Sequence, residues 1–331
     1  MTTAVDIEAF FSANLLPNAV SRMDATLADA LAFLRGLPSD IPGIALVTSG
    51  GTTVPLELNA VRFLTNFSSG GRGAYFVETF VDREWPCVLL RHKSAVRPFR
   101  RVLDDMTTEE LFALMDSPAT GKGTAEVPAD VRAVHALYEK SKRILLEVEF
   151  DTVVEYLYLL RGLARALCDP ATAPAALLTK PLLFFAAAAV SDYFAPLARM
   201  SREKISGGDG LTLRLENVPK LLGTIQNDWL CRPTQLAGGA AGAVKPPFMV
   251  SFKLETSEEA MRAKAIKNLH GYGSDSVVAN MLQTYKERVW VYVQGADDGF
   301  PTEVVKEKDR TIESALCDFF IPLAEKKSAK A

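Results

Sequence analysis

The sequence predicts an α/β fold in which a doubly wound, mainly parallel sheet carries helices on both faces. Short apolar runs alternate with amphipathic stretches along the 331 residues, a pattern typical of parallel strands joined by crossover helices. The run at 182–190 is apolar throughout, as expected of a central strand that is covered on both faces. Apolar residues make up 48% of the chain, which is enough material for a large core.

Residues 1–40 are predicted to form an N-terminal helical extension in front of a single α/β domain at 41–331. Asp24 or Thr26 is the candidate helix cap. Leu27, Leu31 and Leu34 follow at the spacing of one helical face, so we expect this helix to pack on the sheet.

Hydrophobic periodicity and helix-start signals place the remaining elements in order. The predicted strands are short apolar or alternating runs at 44–48, 87–90, 144–148, 182–190, 211–215, 249–252, 277–279 and 289–293. The predicted helices occupy 73–80, 107–116, 129–141, a long stretch starting at 151, 219–229, 257–270 and 311–324. Segment 117–128 is expected to be an exposed loop, and 232–246 a low-complexity insertion loop.

Composition argues against several classes of function. The chain has 37 basic and 40 acidic side chains, and a net charge of −3 offers no overall attraction to nucleic acid or to an anionic membrane. No apolar run approaches the roughly 20 residues that a spanning helix needs. The four cysteines form no CxxC pair and the three histidines lack metal-spaced partners, which favours free buried thiols and no zinc site. We therefore expect a cytoplasmic protein without nucleic-acid or membrane partners and without a metal site of its own.

Two loops rich in glycine and serine stand out in the first third of the chain. The first strand runs into Ser49, Gly50, Gly51 and Thr52, and residues 66–71 (NFSSGG) lead into the next predicted helix. Glycines let the backbone approach an anion closely, and a helix start offers unpaired N–H groups with a positive dipole end. The pattern indicates phosphate binding, although loops of this composition are also ordinary turns.

Motifs of other nucleotide and hydrolase sites are absent. The chain has no GxxxxGK[ST] phosphate loop, no GxGxxG after the first strand and no GxSxG elbow, and its sequence gives no basis for a His–Asp relay. Ser49, Asp192, Phe252 and Asn280 all fall at or just past the ends of predicted strands. Since ligands of parallel α/β sheets bind beyond the carboxyl ends of strands, one crevice is expected to collect these four residues.

Seven segments give a more specific indication. They are, in chain order, SGGTTVPLE (49–57), VRFLTNFSSGGRG (61–73), AAAAVSDYFAP (186–196), EKIS (203–206), VPKLL (218–222), SFKLET (251–256) and VVAN (277–280). Together they resemble the phosphopantothenate–cysteine ligase family, in its stand-alone eukaryotic form, over roughly residues 40–320. The resemblance implies a Rossmann-like sheet with a flap and dimerisation extension, the flap lying at about 196–217, and a homodimer with sites near the interface.

The resemblance also implies a reaction. The carboxylate of 4′-phosphopantothenate would attack the α-phosphate of a nucleoside triphosphate and expel pyrophosphate, and the amine of L-cysteine would then displace the nucleotide. ATP is expected for the eukaryotic form and CTP is the alternative, with Mg²⁺ accompanying the triphosphate. Both steps build charge on oxygen, so fixed hydrogen-bond donors at that place would lower the barrier.

The family motifs assign roles to individual residues. Asn66, in NFSSG, is expected to be a catalytic amide that also contacts the substrate, although an asparagine here could simply close its own loop. Lys204, in EKIS, is expected to counter charge at the transferring phosphorus; without the family it would be a solvated surface lysine. Arg62 is a candidate for the pantothenate phosphate, since arginine forks match phosphate geometry, and an ordinary surface ion pair is the alternative.

The remaining matched positions are expected to bind the nucleotide. Ala188 and Ala189 would allow close approach of the backbone, Asp192 would accept hydrogen bonds unless it only caps a helix, and Phe252 would stack on the base unless it is core. The full set is Ser49, Gly50, Gly51, Thr52, Ser68, Ser69, Gly70, Ala188, Ala189, Asp192, Pro219, Lys220, Leu221, Leu222, Phe252 and Lys267. Two other hypotheses stay open at this point: a nicotinamide-dependent oxidoreductase, and a catalytically silent relative that binds nucleotide as a regulatory module.

Overall fold

The computed structural model describes residues 6–115, 127–206, 210–219, 222–232, 244–295 and 300–327. The helices in these residues are α1 (Ile7–Asn14), α2 (Pro17–Arg35), α3 (Gly71–Asp82), α4 (Arg101–Asp104), α5 (Thr108–Met115), α6 (Ala129–Ser141), α7 (Val153–Cys168), α8 (Ala175–Leu178), α9 (Leu222–Thr224), α10 (Glu258–Tyr272) and α11 (Ile312–Lys326). The strands are β1 (Ile44–Ser49), β2 (Thr53–Pro55), β3 (Phe63–Thr65), β4 (Cys87–His92), β5 (Leu145–Phe150), β6 (Leu182–Ala186), β7 (Tyr193–Phe194), β8 (Glu216–Asn217), β9 (Phe248–Glu255), β10 (Ser276–Met281), β11 (Arg288–Val293) and β12 (Thr302–Val305).

Eight of these strands form one sheet in the order β12-β11-β10-β9-β6-β1-β4-β5. The pairs from β5 to β10 are all parallel, whereas β11 and β12 are added at one edge by antiparallel pairing. All six residues of β1 are buried between β4 and β6. The predicted α/β fold with a mainly parallel sheet is confirmed.

Helices cover both faces of the sheet and enclose two apolar clusters. On one face α2 and α7 pack together, with Leu34, Leu160 and Leu163 buried in the shared core. On the other face α3 and α11 pack together around Phe80 and Phe320. Each large apolar side chain that is fully buried stabilises the fold by about 1.5–3 kcal/mol. The doubly wound arrangement was therefore predictable from the apolar spacing of these helices.

The buried Arg232 connects three chain segments at the edge of the first cluster. Its guanidinium donates hydrogen bonds to the carbonyls of Lys180 (2.6 Å), Lys245 (2.8 Å), Leu167 (3.2 Å) and Leu178 (3.3 Å). Desolvation lowers the pKa of this arginine from its ordinary value. Arg232 thus joins these segments through four carbonyl groups, of which the Leu178 carbonyl also accepts from the Lys245 N–H (3.0 Å).

Four predictions about elements were wrong. The N-terminal helix α2 begins at Pro17 rather than after Asp24 or Thr26, because proline at the first helical position needs no N–H partner. Thr26 lies inside that helix and donates to the carbonyl of Arg22 (3.1 Å). Asp24 also lies inside it and accepts a hydrogen bond from the Tyr158 hydroxyl (2.7 Å).

The other three errors concern the middle of the chain. The strand predicted at 182–190 ends at Ala186, because the next backbone groups bond to the loop after β1. Residues 211–215 form no strand; only Glu216–Asn217 pairs, with β7. The helix predicted from Pro219 starts at Leu222 and continues as one π-helical turn at Ile225–Trp229. Most of the predicted loops, at 117–126 and 233–243, lies outside the described residues.

Candidate active site

The loop after β1 and the loop after β6 are joined by hydrogen bonds. The Thr52 N–H donates to the carbonyl of Ala189 (3.2 Å), and the Ala189 N–H donates to the carbonyl of Gly50 (2.8 Å). The Thr52 hydroxyl accepts from the Ser191 N–H (2.9 Å). The two central parallel strands therefore deliver their polar ends to one place, as the strand-end argument predicted.

Asn66 lies against the same junction. It follows β3, which pairs with β2, and its side chain is exposed. A side chain on Gly51 would overlap the backbone carbonyl of Asn66, so this position tolerates only glycine without a shift. Gly51 also bridges to Ala189, three residues before Asp192, whose carbonyl accepts from the Val218 N–H (2.8 Å). Asn66 and the exposed Asp192 thus belong to one edge of the sheet.

The N-terminus of α3 packs directly on the end of β1. The Ser49 hydroxyl donates to the carbonyl of Gly70 (2.9 Å), which adopts a left-handed conformation with φ 78°. Gly70 has no side chain to cap this helix, but the hydroxyl of the exposed Ser69 accepts from the Gly71 N–H (3.3 Å), and Ser68 is half-buried. A helix start with a positive dipole end, closely backed by glycines, is chemically suited to a phosphate.

A partly buried arginine that the sequence analysis did not single out connects α3 to the far strands. Arg72 donates to Asn280 Oδ1 (3.0 Å) and to the carbonyl of Tyr285 (3.0 Å), and it pairs with Glu313 (3.4 Å). Its guanidinium carbon lies 5.4 Å from the ring centroid of Phe252. Burial lowers the pKa of Arg72 and raises that of Glu313. The GGRG sequence contained this arginine, but only its glycines suggested a role.

Phe252 is only partly buried, and its ring lies 5.8 Å from Phe76 and 6.1 Å from Phe185 between centroids. Asn280, also expected in the crevice, is buried and donates to the carbonyl of Lys253 (3.2 Å). Both residues therefore contact Arg72, Asn280 from the end of β10 and Phe252 from within β9, three residues before that strand ends. The predicted strand end at Phe252 was thus placed too early, and Asp192 lies six residues beyond the end of β6.

Arg62 and Lys204 are linked by a residue that neither motif highlighted. Arg62 pairs with the buried carboxylate of Glu57 (2.9 Å), so the ion-pair alternative for Arg62 is present in the structure. Glu57 also accepts a hydrogen bond from the N–H of Ile205 (3.0 Å), next to Lys204 in the flap segment. The Lys204 side chain is exposed.

His92 and Asp151 approach each other, a pairing that no motif indicated. His92 Nε2 lies 3.2 Å from Asp151 Oδ1 and 3.0 Å from the Thr53 hydroxyl. The Ser94 N–H donates to Nδ1 (3.2 Å), which assigns the ring proton of the neutral imidazole to Nε2. His92 lies behind Gly50, where a side chain would come within 2.7 Å of the His92 Cβ. The group therefore supports the first loop from behind.

The remaining candidates lie further out or outside the described residues. Lys267 is exposed on α10, and the described contacts do not join it to the two loops. Pro219 precedes α9 and Leu222 begins it, whereas Lys220 and Leu221 fall outside the described residues. In the part of the chain that the structure covers, no group of three or more His, Cys, Asp or Glu residues is placed to hold a metal ion. The same part contains no helix that is long and apolar enough to cross a membrane.

Comparisons with known proteins agree with this geometry. No protein-family model matches the chain. It is 32% identical over 328 residues to phosphopantothenate–cysteine ligase 2 of Oryza sativa subsp. japonica, covering 96% of this chain and 92% of the relative. It is 33% identical over 285 residues to the Homo sapiens phosphopantothenate–cysteine ligase, covering 83% and 84%.

Solved structures give the same result. A Cab2 mutant in complex with phosphopantothenate-cysteine has a TM-score of 0.78 and 30% identity, covering 96% of this chain and 97% of that one. The DNA/pantothenate metabolism flavoprotein of Streptococcus pneumoniae has a TM-score of 0.51 and 17% identity over 86% of this chain and 98% of its own, a likeness of fold alone.

Proposed function

Since this chain belongs to the phosphopantothenate–cysteine ligase family, a family of coenzyme A biosynthesis, we propose that it performs the reaction in two steps through an acyl-nucleotide. One observation supports this most strongly: the Asn66 backbone lies against Gly51, which itself bridges to Ala189. A carboxamide, an alanine stretch and a glycine-rich helix start thereby share one edge of the sheet. That edge has a phosphate-binding part and an amide donor next to it.

In the first step, the triphosphate lies across the start of α3 and the Ser49–Thr52 loop. Backbone N–H groups there bind phosphate oxygens, and Gly70 allows the close approach. The carboxylate oxygen of 4′-phosphopantothenate forms a bond to the α-phosphorus while the bond from that phosphorus to the bridging oxygen of pyrophosphate breaks. Lys204 counters the negative charge that develops at the phosphorus.

In the second step, the amine of L-cysteine attacks the acyl carbon, and the nucleoside monophosphate leaves as the amide forms. Asn66 donates a hydrogen bond from its carboxamide to the developing oxyanion. Removing one such donor lowers kcat by about 10²–10³-fold. Arg62, which is 36% exposed, keeps donors available for the phosphate of phosphopantothenate besides the one bonded to Glu57. No side chain of the protein needs to act as a nucleophile.

ATP is the nucleotide that we propose, with CTP as the alternative. Phe252 would stack on the base, because its ring is only partly buried. Such stacking does not distinguish a purine from a pyrimidine. Mg²⁺ would reach the site on the triphosphate, where it neutralises charge on the leaving pyrophosphate. Asp192 is the exposed carboxylate of the edge and is proposed to contact the nucleotide.

We further propose that the protein is a cytoplasmic homodimer. The segment around β3 exposes large apolar side chains beside Arg62, with Phe67 97% exposed, Phe63 55% and Val61 54%. Exposed apolar groups clustered in this way favour a protein partner, and a second copy would bring them together near the site. The cysteines in the described structure are free, which suits a reducing compartment.

A product assay tests the proposal. Purified protein with 4′-phosphopantothenate, L-cysteine, Mg²⁺ and ATP is expected to release pyrophosphate and AMP and to form the amide. A panel of ATP, CTP, GTP and UTP at saturating co-substrates decides the nucleotide. Nucleotide binding with neither pyrophosphate nor amide formed would favour the catalytically silent nucleotide-binding alternative instead.

A further inference from the structure

The buried carboxylate of Glu57 lies between two residues of the proposed mechanism. Glu57 has no exposed surface and follows β2 on the loop that leads to β3. Its Oε2 accepts from the Arg62 backbone N–H (2.8 Å), and its Oε1 accepts from Arg62 Nη1 (2.9 Å) and from the Ile205 N–H (3.0 Å). The carboxylate therefore holds its own loop and reaches a separate segment, 148 residues further along the chain.

The contacts keep this carboxylate ionised. The Ile205 N–H is the largest cause of a lowered pKa at Glu57, and the two donors of Arg62 act in the same direction. A carboxylate buried without such donors would be protonated instead, because burial disfavours its charged form. The contacts with Arg62 are enough to close the loop between β2 and β3. The bond from the Ile205 N–H therefore holds a second segment, which is distant in the sequence.

The segment fixed in this way is the one that carries Lys204. A second backbone bond, from the Leu58 N–H to the Ser201 carbonyl (2.9 Å), joins the same two segments four residues before Ile205. The Ser201 hydroxyl donates to the Glu203 carbonyl (2.8 Å), which turns the chain between the two bonds. Lys204 stands inside this short turn, so its backbone position depends on both anchors.

We propose that Glu57 is a positioning residue for the ligase reaction: its carboxylate holds the backbone of the Lys204 segment against the Arg62 loop. This inference rests on the proposed role of Lys204 at the transferring phosphorus. Glu57 itself, fully buried, contacts no substrate. Its effect on kcat passes through the placement of Lys204, whereas an effect through Arg62 would change KM for phosphopantothenate.

Glu57→Gln is the informative variant, because it keeps the shape of the side chain and turns one acceptor oxygen into a donor. The new NH₂ group faces either the Arg62 N–H or the pair of Arg62 Nη1 and Ile205, so at least one contact becomes repulsive. A hydrogen bond to a charged group changes an equilibrium constant by about 10- to 100-fold. We therefore expect kcat of the Glu57→Gln variant to fall by at least about tenfold. KM for ATP should change by less than about threefold, because Lys204 acts on the transition state.

A double-mutant cycle with Lys204→Ala separates positioning from a general loss of structure. If Glu57 acts through Lys204, then Glu57→Gln lowers kcat by less than about twofold in the Lys204→Ala background. A loss of the same factor in both backgrounds, or a Glu57→Gln enzyme with wild-type kcat, overturns the proposal. Glu303→Gln is the matched control, since it makes the same chemical change in an exposed ion pair with Arg288 (3.3 Å) on the edge strands β11 and β12, and it should leave kcat unchanged.

Ile205→Pro decides the matter if Glu57→Gln fails to fold. Proline removes the Ile205 N–H that donates to Glu57 and leaves the contacts between Glu57 and Arg62 in place. The same fall in kcat, absent in the Lys204→Ala background, is expected, and wild-type kcat overturns the inference. A wild-type protein that forms no amide would instead refute the proposed function, so the two failures are distinguishable.

Discussion

Replacing Gly70 by alanine tests whether the junction of β1 and α3 must keep its present geometry. Gly70 has φ 78°, and an added Cβ would lie 2.6 Å from the Ala95 Cβ and 2.9 Å from the Ser49 hydroxyl. The left-handed conformation alone costs an alanine about 1–2 kcal/mol. To reach ordinary contact at 3.4 Å, the distance to Ala95 must increase by about 0.8 Å. The start of α3 must therefore move relative to the strand.

A shift of this size matters because the N–H groups at the start of α3 are proposed to hold the triphosphate. A misplacement of about 1 Å can cost about 100-fold in rate, so we expect kcat/KM for ATP to fall about 10- to 100-fold. The assay is pyrophosphate release at saturating phosphopantothenate and cysteine. Urea unfolding, followed in parallel, should show a loss of about 1–2 kcal/mol, and the kinetics are measured well below the unfolding midpoint.

Gly71→Ala is the matched control one residue away. Its added Cβ would meet only the Ser69 hydroxyl, at 3.5 Å, which is ordinary contact, and the residue is already helical. Alanine is a better helix former than glycine, so the fold should be at least as stable as wild type. Equal kcat/KM for the Gly70→Ala and Gly71→Ala variants would refute the reasoning about this junction.

Four further results are expected. Asn66→Ala should impair use of the acyl-nucleotide more than its formation, so rapid-quench assays should show the intermediate accumulating; full turnover at the wild-type rate contradicts its role. Arg232→Met should lower the free energy of unfolding by about 3 kcal/mol or more in urea, because it removes four hydrogen bonds from a charged donor to carbonyl groups of three segments. At pH 8, iodoacetamide followed by mass spectrometry should label the exposed Cys231 and spare Cys168, whose pKa burial raises to about 11; equal labelling of the folded protein contradicts this. The lowered pKa of Glu57 contributes stability above about pH 4.3 that is lost as the pH falls through the folded pKa, so the stability advantage of wild type over Glu57→Gln should shrink in acid; a constant difference down to pH 3 contradicts this.

The centre of the sheet was predictable because β1 and β6 are mostly apolar. The β1 run and the β6 run bury nearly all of their side chains, so composition alone marked them as central strands. The end of β6 was placed four residues too late, because an alanine run looks the same in a strand and in a loop. Only the bonds from Ala188 and Ala189 to the β1 end decide where that strand stops.

The parts of the candidate site that depend on neighbouring residues in the sequence were predictable. The parts that depend on partners far away in the sequence were not. The glycines at 50, 51 and 70 indicated places where other atoms approach the backbone closely. In the structure, a Cβ added at each of them would clash with a neighbouring residue. Arg72 and Glu57 carried no such mark, because an arginine and a glutamate in polar stretches are usually solvated. Their partners, Asn280 and Ile205, are 208 and 148 residues away along the chain. Such pairings become visible only when the fold is known.

The most direct measurement of the central claim is a partial reaction in which L-cysteine is withheld. With ATP, Mg²⁺ and 4′-phosphopantothenate, the enzyme should release about one pyrophosphate per active site and keep the acyl-adenylate, and added cysteine should then release AMP together with the amide. Pyrophosphate should not form when phosphopantothenate is left out. Pyrophosphate released without phosphopantothenate, or inorganic phosphate released in its place, would contradict the account of the edge formed by β1, β6 and α3.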